Sequence, residues 1–105
     1  MQTYVVVDNE STSAATVIEL AARNELGLLY NVTAAMAAHG LDIRQARAQT
    51  LGDHVVDSFY VTTEAGDKVT NEAQLHAIEQ SIMAAINDTD GERDPNPDDQ
   101  QGDLT

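Results

Sequence analysis

The sequence predicts an α+β domain, a four-stranded antiparallel sheet with two helices on one face, in the order β-β-α-β-β-α. Four short runs are rich in β-branched and aromatic residues or alternate apolar with polar. Two longer segments carry apolar residues at helical spacing. The links within each pair of strand runs are short and polar, which suits hairpins.

Tyr4-Val5-Val6-Val7 is the first strand, and the polar stretch from Asp8 to Ala14 turns the chain. Thr16 to Ala22 is the second, with Thr16, Ile18, Leu20 and Ala22 on one face and Val17 and Glu19 on the other. Asn24-Glu25-Leu26-Gly27-Leu28-Leu29 then leads from strand into helix. In the helix Leu28, Val32, Ala35 and Met36 form an apolar stripe. His39-Gly40 ends it, Gly40 as the C′ residue and His39 near the negative helix end. Leu41 to Thr50 is a long strand whose alternation breaks near Arg44, the mark of a bulge. Leu51-Gly52-Asp53-His54 turns into Val55 to Thr63, where Phe59 and Val61 share one face and Val56 and Tyr60 the other. The last helix starts near Asn71, capped by Thr70 or Asn71, and Leu75, Ile78, Ile82, Ala85 and Ile86 line one side. The second sheet face is left for another copy or another domain to cover.

The Asn24–Leu29 turn is where a small molecule is expected. Gly27 can take φ > 0 and lets a ligand or another backbone come close. The N–H groups of the new helix suit a carboxylate or other anion. Close helix–sheet packing is the other reading of Gly27.

Composition narrows the function. A chain of 105 residues, 42% of them hydrophobic, is one globular domain by default. The absence of cysteine excludes a disulfide scaffold, a thiolate zinc site and cysteine catalysis. A net charge of −13, from 18 acidic and 5 basic residues, repels phosphate backbones and anionic membranes, so no nucleic-acid or membrane partner is expected. No apolar run approaches the ~20 residues that span a bilayer, and no signal peptide is visible. A cytoplasmic location is the simplest reading.

Residues 88–105 hold both prolines and little that is apolar, and read as a disordered acidic tail after a domain of residues 1–87. Asp88 and Asp90 begin like a calcium loop, but Arg93 and Asp99 fall where that loop needs glycine and glutamate. His39, His54 and His76 are too scattered for a local metal motif, and no metal, cofactor or catalytic constellation is called for. Asp57, mid-strand on the Val55/Phe59 face, is expected to pair with Arg44 or Arg47 across the hairpin.

These segments resemble an ACT domain, a small regulatory module that often binds amino acids. The family turn is commonly Asp-Arg-Pro-Gly-Leu-Leu, where this chain has Asn24-Glu25-Leu26-Gly27-Leu28-Leu29, and Gly40-Leu41-Asp42-Ile43 stands where the family often has Gly-Leu-Asn-Ile. Ala46 to Asp53 and Val55 to Thr62 look most like the C-terminal ACT repeat of the bacterial PII-protein uridylyltransferases, or uridylyl-removing enzymes. Val6 to Glu10 followed by Ala15 to Glu19 is similar to them too. The resemblance covers about residues 4 to 87.

The resemblance implies a ferredoxin-like sandwich in a permuted order. An ACT domain usually runs βαββαβ, with its last strand beside its first. Here no strand follows Ile86 and an extra one precedes Ala15, so Tyr4 to Asn9 is expected in the last strand's place, antiparallel to Thr16–Ala22. It also implies a non-catalytic module of a nucleotidyltransferase whose catalytic parts lie upstream, with glutamine as effector in nitrogen regulation. The amino acid would sit where two copies, or two ACT repeats, meet. Asn24, Glu25, Leu26, Gly27 and Leu28 of one copy would line the site with Asp42 and Ile43 of its neighbour. Two residues depart from the family turn. Leu26 in place of Pro frees the loop, and Glu25 in place of Arg opposes an anionic ligand group. Asn24 in the Asp position still accepts a hydrogen bond from an amine. The rival reading is a structural dimerisation module without a small-molecule ligand.

Overall fold

Each strand run pairs as its residues suggest in the computed structural model, which describes residues 2–92. The elements are β1 (Tyr4–Asp8), β2 (Thr16–Arg23), α1 (Leu28–Ala38), β3 (Asp42–Leu51), β4 (His54–Thr62) and α2 (Glu72–Glu92). The strands form one sheet in the order β1-β2-β4-β3, every neighbouring pair antiparallel. β1 pairs with β2 from Tyr4 opposite Ala21 to Asp8 opposite Val17, taking the place expected for it. The ferredoxin-like α+β arrangement in permuted order is therefore the observed fold.

Alternation along the strands sends one set of side chains to the helices. Val5, Ile18, Leu20, Ala22, Val55, Phe59 and Val61 meet Leu28, Val32 and Met36 of α1 and Ile78, Ile82 and Ile86 of α2 in a single buried cluster. The opposite face is more open: Val6 is half-exposed, and the Tyr4 hydroxyl there donates to Glu19 Oε2 at 2.6 Å. The register of β3 against β4 shifts between Ile43 and Gln45, so the bulge falls at Arg44 as the broken alternation indicates.

Capping follows the sequence signals. At the end of α1, Gly40 adopts φ 73°, and the Leu41 N–H donates back to the Met36 carbonyl at 3.2 Å. At the start of α2, Asn71 Oδ1 accepts the Gln74 N–H at 2.8 Å, which makes Asn71 the N-cap. Buried Thr16 fastens the β1–β2 turn to the segment before α2. Its hydroxyl donates to Asn9 Oδ1 at 2.6 Å and accepts the Val69 N–H at 3.0 Å, while Asn9 Nδ2 donates to the Val69 carbonyl at 2.6 Å.

α2 corrects one expectation. It continues to Glu92, so residues 88–92 of the stretch read as disordered tail are helical. Thr89 accounts for this: fully buried, it donates to the Ala85 carbonyl at 2.8 Å and accepts Asn31 Nδ2 of α1 at 2.7 Å. The rest of the expected tail lies outside the described residues. Among the described residues, no helix is long and apolar enough to cross a membrane.

The helix layer stops short of the sheet edge. α2 lies against α1 and β1, and all ten residues of β3 are exposed. Ala46 and Ala48, opposite Phe59 and Asp57, present an uncovered apolar strip beside the start of α1.

Candidate functional site

That uncovered strip and the β2–α1 turn enclose a cleft of about 650 Å³, within the size range of small-molecule sites. Asn24, Glu25, Leu26, Gly27, Leu28, Leu29 and Tyr30 form one side. Ala46, Arg47 and Ala48 of β3 form the other, and Val55, Asp57 and Phe59 of β4 also line it. The turn residues expected to bind a ligand thus come together. Asp42 and Ile43 lie at the other end of β3 and do not line this cleft, and their expected role belongs to a neighbouring copy.

The turn is held at several points. The Asn24 N–H donates to the Asp53 carbonyl at 2.8 Å, tying it to the β3–β4 hairpin turn, and the Leu28 N–H donates to the Glu25 carbonyl at 3.2 Å. Gly27 is the N-cap of α1 at φ 85°, a conformation that disfavours a Cβ. Close packing is not the reason for this glycine, because a Cβ placed there meets no heavy atom within 4 Å. Among the described residues, the N-cap makes no side-chain hydrogen bond and the first turn of α1 carries no acidic residue, so the positive end of the helix opens on the cleft. Glu25 is less of an obstacle to an anionic group than its charge suggests, since its Oε2 lies 3.1 Å from Arg23 Nε.

Asp57 stands where alternation puts a core residue, opposite Leu20 on one side and Ala48 on the other. It is 6% exposed, and its Oδ1 has no hydrogen-bond partner among the described residues. Burial pushes its carboxyl above the usual carboxylate range. The expected pairing with Arg44 or Arg47 does not form. Arg47 sits opposite Ser58, which directs it to the other sheet face, and Arg44 is the bulge residue and donates through Nε to Thr62 Oγ1 at 3.0 Å.

The histidines have structural surroundings. His39 Nε2 lies 2.8 Å from Ser81 Oγ and His54 Nδ1 lies 2.8 Å from Asp53 Oδ1, while His76 is exposed. The His54 contact holds the Asp53 carboxyl below its ordinary value. Among the described residues, no group of three or more His, Cys, Asp or Glu side chains is placed to hold a metal ion.

A family model for the ACR family N-terminal ACT domain matches residues 11–89. This chain belongs to the ACT domain family. The match takes in β2 to α2 and leaves out β1, the strand that makes the order unusual. Three relatives named bifunctional uridylyltransferase/uridylyl-removing enzyme are similar to the domain. The one from Rhodospirillum rubrum is 42% identical over 85 residues, 81% of this chain and 9% of the relative. That from Caulobacter vibrioides is 37% identical over 82 residues, 78% of this chain and 9% of the relative. That from Azospirillum brasilense is 38% identical over 84 residues, 80% of this chain and 9% of the relative. The ACT domain therefore spans about a tenth of the length of these enzymes.

Sequence reasoning located the turn side of the cleft and missed the sheet side. Val55 and Phe59 are apolar residues on the helix-facing side of β4, which reads as core. Ala46 and Ala48 border a cleft only because neither helix reaches β3. Asp57 carried the one available signal, a carboxylate at a core position of an alternating strand.

Proposed function

We propose that this ACT domain is a regulatory, non-catalytic, amino-acid-sensing module of a cytoplasmic PII-type uridylyltransferase, corresponding to the C-terminal ACT repeat of such an enzyme and responding to glutamine in nitrogen regulation. The observation that carries this reading is the cleft between the β2–α1 turn and β3. It joins a helix N-terminus open to a carboxylate with apolar walls and hydrogen-bonding groups, the surface a small amino acid needs. Similarity to the uridylyltransferase relatives supports the parent activity, and glutamine is the effector that the family resemblance implies. In this reading a second copy or another ACT repeat covers the exposed edge of β3 and closes the cleft, bringing Asp42 and Ile43 of the neighbour to the ligand. Occupancy then changes how the paired domains sit, and that change reaches a catalytic unit elsewhere in the enzyme.

One feature favours a second reading, a dimerisation module without a ligand. Leu26, Leu29 and Tyr30 on the cleft rim are 87%, 58% and 76% exposed, an apolar patch that a partner domain would cover. Isothermal titration of the chain with L-glutamine, alongside its oligomeric state by sedimentation, separates the two. Saturable binding by a dimer is the outcome expected for the sensor. A folded dimer that takes up no glutamine overturns it in favour of the structural module.

A further inference from the structure

Burial leaves Asp57 with an unmet electrostatic demand. A carboxylate beside Val55, Phe59 and Leu28 is stable in its charged form only with a cation or hydrogen-bond donors at hand. Among the described residues, the chain's own cations are directed elsewhere. Arg23 is engaged with Glu25, Arg44 with Thr62 and Asp42, and Lys68 with the Asn9 carbonyl, while Arg47, which borders the cleft, sits opposite Ser58, where alternation turns it to the other sheet face, and forms no ion pair with Asp57. His39 meets Ser81, His54 meets Asp53, and His76 is exposed on α2. The unpartnered acid lines the same cleft as the uncapped start of α1.

We infer that Asp57 is the specificity-determining residue of this cleft: its carboxylate receives the ammonium group of the ligand, while the N-terminus of α1 receives the ligand's carboxylate. Two opposite charges at two places in one cleft select a zwitterion over a simple acid or a simple amine. The inference rests on the amino-acid-sensing reading of the same cleft and adds to it the residue that reads the amino group. The β2–α1 turn supplies the anion half of the site, and β4 supplies the cation half.

The test compares L-glutamine with glutaramic acid, which lacks only the α-amino group, on the wild-type chain and on Asp57→Asn, by isothermal titration. Wild type is expected to prefer glutamine by about 30-fold or more, the usual loss when one member of a buried charge pair is removed. In Asp57→Asn that preference is expected to fall to a few-fold, with glutaramic acid bound about as well as by wild type. Equal binding of both compounds by wild type overturns the inference and leaves the glutamine reading standing. Full discrimination retained by Asp57→Asn does the same. If wild type binds neither compound, a thermal-shift panel of the standard amino acids and their des-amino counterparts decides. An amino acid that stabilises wild type, but neither Asp57→Asn nor in its des-amino form, upholds Asp57 while glutamine fails as the effector. No stabilisation by any of them overturns both. A change in dimer affinity in Asp57→Asn without a change in ligand preference also overturns the inference, because it assigns the carboxylate to a partner's cation.

Discussion

Asn31 on α1 donates through Nδ2 to the buried hydroxyl of Thr89 on α2 at 2.7 Å, the side-chain bond that joins the two helices near the end of the described chain. Thr89→Ala removes this bond and the back-bond to Ala85, and about 1–2 kcal/mol of stability is expected to go with them. Urea denaturation of the two proteins measures this. An unchanged midpoint would mean that the last turn of α2 frays in solution and contributes nothing.

Gly27 at φ 85° has open space around it, so the cost of a side chain there is conformational rather than steric. Gly27→Ala is expected to destabilise by about 1–2 kcal/mol, the penalty for an L-residue in the left-handed region. Gly27→Asn should lose less, because asparagine visits that region more readily. Thermal melts of all three would show the order Gly, Asn, Ala. Equal loss in both variants would refute the conformational account.

Asp57 gives stability a pH dependence of definite sign. In the unfolded chain its carboxyl titrates near ~3.9, and burial holds it higher in the fold. The fold therefore binds its proton more tightly than the unfolded chain does. The stability this contributes is complete below the unfolded value and is lost as pH rises through the folded one. Wild type minus Asp57→Asn should thus become more unfavourable from about pH 4 toward neutrality, leaving the variant the more stable protein at pH 7. Melting curves across that range, without ligand, test it. Parallel profiles would show that the carboxyl is not perturbed by the fold. Asp8 and Asp53, whose carboxyls are held low by Ser11 and His54, act in the opposite sense and cancel in the difference.

The strands and helices are legible because each has one dominant local signal. Alternation marks β2 and β4, the Leu28/Val32/Met36 stripe marks α1, and Gly40 marks its end. Even the bulge at Arg44 shows as a break in alternation. What is not legible depends on how elements pack. Thr89 has no apolar character to announce that it is buried, and only the approach of Asn31 from another helix carries α2 past the acidic boundary. Asp57 invites pairing with a nearby arginine on sequence distance alone. The register that puts Arg47 opposite Ser58, and so on the wrong face, is a property of the β3–β4 pairing. The sheet side of the cleft is hidden for the same reason, since Ala46 and Ala48 look like ordinary core residues until the helices leave them bare.

The permuted order bears on how fast the sheet can assemble. In the usual ACT order the first strand must wait for a partner at the far end of the chain. Here Tyr4–Asp8 finds its partner across one short turn, and β3 finds β4 across another. Two hairpins can thus form from local contacts, each across a single turn. Among the described residues, the distant strand pairing that remains is β2 with β4, Ile18 against Phe59, and its loop-closure entropy is the largest such cost the sheet meets.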